Sequence, residues 1–202
     1  MSLRRTFVAA VLFLMTLVAA PARADVLLIP FFGVNFGGDA GRDFSDSFDA
    51  SQFSWGVSIA AMGAGVFGVE GDFGFSPDFY GKTDLGGSSV MTAMGNLVLG
   101  IPFGGQSGFG IRPYGVVGLG LMRSAAEFGG AGNESDNKFA WDFGGGVMMF
   151  FGSSVGIRGD IRYFRTFEAL DILGIDIANP PGKLDFTRGS FGFIFRFSAA
   201  AA

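Results

Sequence analysis

The sequence predicts an all-β protein, an eight-stranded antiparallel transmembrane β-barrel of the outer-membrane type. Three observations predict it. The segment Arg188 to Phe197 carries an aromatic at every second position, namely Phe191, Phe193, Phe195 and Phe197. A period of two is a strand, because successive side chains point to opposite faces. A solid row of Phe is too apolar for a face in water and suits one in lipid. An export signal stands at the N-terminus, and long and short connections alternate along the rest of the chain.

The export signal comes first in the chain. Arg4 and Arg5 form a short basic region, Phe7 to Ala20 is apolar apart from Thr16, and Pro21-Ala22-Arg23-Ala24 offers a small-residue cleavage site. That order reads as a secretory signal peptide over residues 1–24, with a run too short for a good spanning helix. Its removal leaves 178 of 202 residues, enough for one domain. Losing Arg4, Arg5 and Arg23 from 14 basic residues leaves 11 against 18 acidic ones, a net charge of −7. Such a balance argues against a nucleic-acid partner, which needs a basic footprint. There is no Cys, hence no lipid-attachment Cys, disulfide or thiolate metal site.

Beyond residue 24 the apolar period is two rather than 3.6, and Gly breaks every run. Eight strands are expected at 26–36, 52–62, 66–76, 89–101, 111–123, 139–151, 155–167 and 185–197. Each has about 11–13 residues, the length a tilted strand needs to cross a bilayer. The connections 37–51, 77–88, 124–138 and 168–184 are long, whereas 63–65 and 152–154 are short and 102–110 is somewhat extended. Short periplasmic turns and long extracellular loops are the asymmetry of outer-membrane barrels. An even strand count then puts both termini in the periplasm. The four long connections are all net acidic; 37–51 alone holds Asp39, Asp43, Asp46 and Asp49 against Arg42.

Strand 155–167 sets Val155, Ile157, Ile161 and Tyr163 against Arg158, Asp160 and Arg162. Strand 66–76 opposes Phe67, Val69, Phe73 and Phe75 to Glu70 and Asp72, and strand 139–151 opposes its aromatics to Asp142. Alternation alone does not say which face is inside, and a soluble lipocalin-like barrel would turn the apolar rows inward. The signal peptide, the aromatic final strand and the dominance of Phe favour the inverted, membrane arrangement. The third and seventh strands of eight then face each other across a narrow lumen. Glu70, Asp72, Asp142, Arg158, Asp160 and Arg162 are expected there as a charge cluster, with Arg188, Arg112 or water balancing the acids, because buried charges must be paired. Gly68, Gly74, Gly144, Gly146, Gly156 and Gly192 would make room for the Arg stems. Trp55, Tyr80, Tyr114, Trp141 and Tyr163 fall near strand ends and are candidates for the aromatic belts at the membrane–water interface.

The stretches Arg112-Pro113-Tyr114-Gly115-Val116-Val117-Gly118-Leu119-Gly120, Phe139 to Val147 and Gly156 to Tyr163 give the chain a resemblance in pattern to small outer-membrane barrels of the OmpA and opacity-protein type, in their barrel domain. Ser190, Gly192, Phe195 and Phe197 look like the polar-x-Gly-x-x-aromatic-x-aromatic signal read by the outer-membrane assembly machinery. Two departures matter. Phe197 is followed by a short tail, residues 198–202, where the family commonly stops on the aromatic, and no room is left for a peptidoglycan-binding domain. The resemblance implies residence in the outer membrane among lipid and lipopolysaccharide. It also implies contact with an extracellular ligand or host surface.

Catalysis has little support. The chain holds neither His nor Cys, the two usual sources of a general base and an activated nucleophile. Outer-membrane enzymes resembling such barrels generally build on a His base. Gly115, Gly118 and Gly120 lack the βαβ setting of a dinucleotide fingerprint. Asp43, Asp46 and Asp49 do not have the spacing of an EF-hand and read as a solvated acidic loop. No catalytic, cofactor or metal residue is expected. The function expected is non-enzymatic, structural or surface-interacting through four extracellular loops, with a narrow porin-like channel as the alternative.

Mass spectrometry of the membrane fraction should find a mature chain beginning at Asp25, since Ala22 and Ala24 hold the small-residue positions before it. A membrane form still carrying Leu12 to Leu17 would exclude the signal peptide.

Overall fold

The structure, a computed structural model, describes residues 24–38, 53–63, 66–77, 79, 88–104, 108–128, 132–167 and 184–198. Its strands are β1 (Ala24–Phe36), β2 (Phe53–Gly63), β3 (Phe67–Pro77), β4 (Ser88–Gly100), β5 (Phe103–Gly104), β6 (Phe109–Phe128), β7 (Gly132–Phe151), β8 (Val155–Thr166) and β9 (Asp185–Ser198). Eight of these span the barrel. The two-residue β5 only folds back on Ile111 and Gly110 of β6, helped by Gly104 at φ 73°.

All pairings are antiparallel between neighbours in the chain, and two ladders close the sheet: β4 on β6 and β1 on β9. The β1–β9 seam runs from Asp25 opposite Ser198 to Phe36 opposite Thr187. It skips Ile29 and Pro30 without changing register. Proline has no N–H to give, so a rung is lost there while the strands keep their phase.

Exposure decides the orientation that alternation left open. Phe67 and Phe139 are each 71% exposed, whereas Asp142 and Arg162 are 0% exposed. Phe191, Phe193, Phe195 and Phe197 all stand on the outer wall. The apolar rows therefore face outward and the charges face the lumen, the arrangement of a barrel in lipid.

The interior is more apolar than the alternating charges suggest. At the end carrying both termini, Leu27, Ile29, Met62, Val98, Met148, Phe150 and Ile194 pack together. Near the opposite, loop end, Phe79, Val90, Met94, Met122, Phe164 and Phe186 form a second cluster. The inward charges of β3, β7 and β8 lie between these two plugs. Phe186 bridges Phe79 and Phe164, at ring distances of 5.0 and 5.1 Å.

The expected loop 124–138 requires correction. β6 and β7 stay paired as far as Phe128 opposite Gly132, past the last β4 rung at Ala126 and the last β8 rung at Ala140. Backbone pairing continues through a polar stretch whose composition resembles a loop. The other end of the chain shifts slightly: β9 ends at Ser198, opposite Asp25, one residue past the expected end at Phe197. The expected leader lies outside the described residues except for Ala24, which opens β1 opposite Gly63.

Deleting residues 199–202 should leave heat-modifiable mobility on gels unchanged, because the seam with β1 is intact. Replacing Phe195 and Phe197 by Ser should lower the assembled fraction, since both rings stand on the outer wall of the closing strand. The reverse pattern would mean that the assembly determinant lies in the tail.

Candidate functional site

The lumen between the two apolar plugs holds a layer of ion pairs supplied by opposite walls. Glu70 and Asp72 come from β3, Asp142 from β7, Arg158, Asp160 and Arg162 from β8, and Arg188 from β9. All point inward because they share one parity along their strands. Arg158 Nη1 donates to Glu70 Oε2 at 2.5 Å across the barrel, and its Nε donates to Asp160 Oδ2 at 2.7 Å. Arg162 lies between several acids, with Nη1 at 2.8 Å from Glu70, 3.7 Å from Asp72 and 3.8 Å from Asp142. Its Nη2 donates to Asp160 at 3.3 Å.

Neutral groups complete the network. Asn96 Nδ2 donates to Glu70 Oε1 at 3.0 Å, Ser58 Oγ to Asp72 Oδ2 at 2.7 Å, and Ser190 Oγ to Asp160 Oδ1 at 2.7 Å. Tyr114 OH donates to Asp160 Oδ2 at 2.5 Å while Arg158 Nε lies 2.6 Å from the phenol oxygen. Asp142 is held differently. Its carboxylate makes no hydrogen bond among the described residues, and Arg162, at 3.8 Å, offsets its charge from a longer distance.

Tyr114 lies elsewhere than the sequence predicts, and of the two cations expected to balance the acids one joins the layer and the other does not. Tyr114, expected at a membrane interface, is instead 6% exposed in the lumen, because it shares the inward parity of Arg112 and Val116 on β6. Arg188 supplies the balancing cation, donating to Asp72 Oδ1 at 2.6 Å from between the rings of Phe31 and Phe164. Its parity with Gly192 and Ile194 on β9 is the signal that could have singled it out. Arg112 is not part of the layer: it reaches Met62 Sδ and the Phe150 ring at the terminal end, where Arg196 also stacks on Phe150.

The interior glycines divide by function. An added Cβ at Gly74 would collide with Arg188 Nη1, and one at Gly144 would meet the Arg162 stem, so these two do make room for Arg. Gly68 and Gly156 abut Met62 and the backbone of Met149 and Phe150, Gly146 abuts Asp160, and Gly192 abuts Ile29 and Phe31.

On the outer wall Trp55 is 53% exposed and edges onto Phe75. Trp141 and Tyr163 meet with ring centroids 5.8 Å apart, and Tyr163 OH donates to Asp185 at 3.0 Å. All three stand toward the loop end. Tyr80 lies outside the described residues. In the final strand, Ser190 and Gly192 face the lumen whereas Phe195 and Phe197 face out.

A closed barrel with an apolar exterior and a charge-paired interior agrees with what family comparison finds. The model of the outer membrane protein beta-barrel domain matches residues 9–197. The chain belongs to that family. Among solved structures, Neisserial surface protein A is similar over 86% of this chain and 97% of its own, at 13% identity and a TM-score of 0.56. Ail, the attachment invasion locus protein of Yersinia pestis, is similar over 88% of this chain and 100% of its own, at 14% identity and a TM-score of 0.51. Ail in complex with the heparin analogue sucrose octasulfate gives a TM-score of 0.52, with the same identity. At these identities the likeness is one of fold. Comparison with curated proteins gives no match.

Removing one partner of a buried pair strands the other, at about 3–5 kcal/mol. Arg162→Ala in this outer-membrane barrel should therefore lower unfolding stability in micelles by about that amount. Arg158→Met combined with Glu70→Leu should recover much of the loss caused by Arg158→Met alone. Equal stability of wild type and Arg162→Ala would show that the layer is hydrated and loosely held.

Proposed function

We propose that this outer-membrane barrel is a sealed, non-enzymatic scaffold that acts through the connections at its loop end, which face outward while both termini face the periplasm. The observation that carries this reading is the filled lumen: an ion-pair layer with Arg162 fully buried at its centre, enclosed by apolar plugs on both sides. A path for solutes would have to break pairs and displace packed side chains together. Function on such scaffolds sits on loops held by the rigid wall.

The chemistry of those connections points to the kind of partner. All four are net acidic in sequence. Ail, one of the structural neighbours, forms a complex with the heparin analogue sucrose octasulfate, a sulfated polyanion. An acidic rim would repel such a ligand and favour a basic surface, with binding weakened by salt. Lipopolysaccharide and the assembly machinery complete the set of partners proposed.

Planar bilayers should show no steady conductance from the wild type. Cells displaying the protein should attach to a polylysine-coated surface better than to a heparin-coated one. Replacing Asp39, Asp43, Asp46 and Asp49 by Asn should reduce that preference without loss of assembly. Stable channels in the wild type would overturn the sealed reading, and preferential attachment to heparin would overturn the basic-partner reading.

A further inference from the structure

The lipid-facing wall is not uniformly covered. Its register sets Trp55, Phe75, Met91 and Arg123 side by side across β2, β3, β4 and β6. Two residues further from the loop end, the next row is Val57, Phe73, Ala93 and Leu121. Large side chains thus rise around small ones, and a hollow of about 580 Å³ opens over Ala93, with Arg123 among the residues lining it. That volume falls within the span of roughly 300–1,000 Å³ typical of small-molecule sites.

The wall stays low beyond the hollow. The following row contains Gly71 and Gly95, where an added Cβ would meet only Phe73 at 3.5 Å and the Leu119 carbonyl at 3.7 Å. These are ordinary contacts. Interior packing therefore does not require glycine at either position, in contrast to Gly118 and Gly120, where an added Cβ would collide with neighbours. Their effect is on the outside, where they extend the depression along the strands toward the membrane middle.

The rim has the opposite chemistry. Arg123 is exposed on the outer face of β6, beside the exposed Asn137 of β7. The row that flanks it on the other side, Trp55, Phe75 and Met91, is apolar. An apolar channel topped by a guanidinium at the interface complements an amphiphile with an acyl chain and a phosphate, which Arg recognises through paired donors.

We infer that this hollow is a binding site for one phosphate-bearing lipid of the leaflet at the loop end, its acyl chain lying over Ala93, Gly71 and Gly95 and its phosphate held at Arg123. The site rests on the lipopolysaccharide part of the function proposed above and deepens it, whereas the sealed lumen and the basic partner are tested by separate measurements, so the failures are distinguishable.

Native mass spectrometry of the full barrel in a maltoside, titrated with diphosphoryl lipid A, tests it. Wild type should retain one lipid. Arg123→Gln should weaken retention about tenfold, and Ala93→Phe should abolish it by filling the hollow. Gly159→Phe, on the opposite wall where an added Cβ meets nothing within 4 Å, should bind as wild type does. Heat-modifiable mobility selects assembled protein, and Gly95→Leu repeats the filling test if Ala93→Phe does not assemble. Equal retention by wild type, Arg123→Gln and the filled variant would overturn the proposal. So would full competition by inorganic phosphate, which would mark a soluble-anion site, or equal retention of an uncharged diacylglycerol.

Discussion

Hydrocarbon offers the backbone no hydrogen-bond partner, so a sheet in lipid has to close on itself. Every other feature of this chain depends on that closure. The β1–β9 seam joins the two ends of the strand sequence, and it holds register across Pro30 even though a rung is missing there. With eight strands the enclosed space is about wide enough for side chains to fill. What points inward must then be satisfied by its neighbours. Glu70 and Asp72 on one wall and Arg158, Arg162 and Arg188 on the other meet that demand by reaching across the axis. Met and Phe plugs above and below keep the layer from water, which strengthens the attraction within it and raises the penalty for an unmatched charge.

Most of this was legible in the sequence because a period of two leaves little ambiguity about faces. The charged positions on the third and seventh spanning strands could be matched across the barrel from strand order alone. Other features needed information that periodicity does not contain. Nearness to a strand end suggests an interface for Tyr114, whereas its parity with Arg112 and Val116 controls where the ring points. The β6–β7 extension is written in polar residues because it continues beyond the apolar belt, so composition there resembles a loop although the backbone is paired. The two apolar plugs were hidden for a related reason. Met62, Met148 and Phe150 sit on inward positions near strand ends, where apolar residues on both faces blur the alternation.

The likeness to Neisserial surface protein A and Ail, at 13% and 14% identity, is a likeness of wall and closure. A scaffold of this type restricts where function can be placed. The lumen here is occupied by pairs whose partners lie on facing walls, and altering any one of them disturbs its neighbours. Only the connections and the outer wall can vary without that consequence.

Those two surfaces meet different solvents, and their chemistry differs accordingly. The connections are acidic in sequence, and in water Coulomb attraction is long in reach but weakened by salt. The outer wall meets acyl chains, which pack against apolar surface with little selectivity of their own. Selectivity on such a wall requires an interruption of the apolar cover beside a charge at the interface. Ala93 and Arg123 supply that combination within one hollow, whereas the aromatic rows of β9 do not. A phosphate at Arg123 would be attracted by that guanidinium and repelled by acidic groups nearby, so such a lipid has to be held by its acyl chain as well as by its charge.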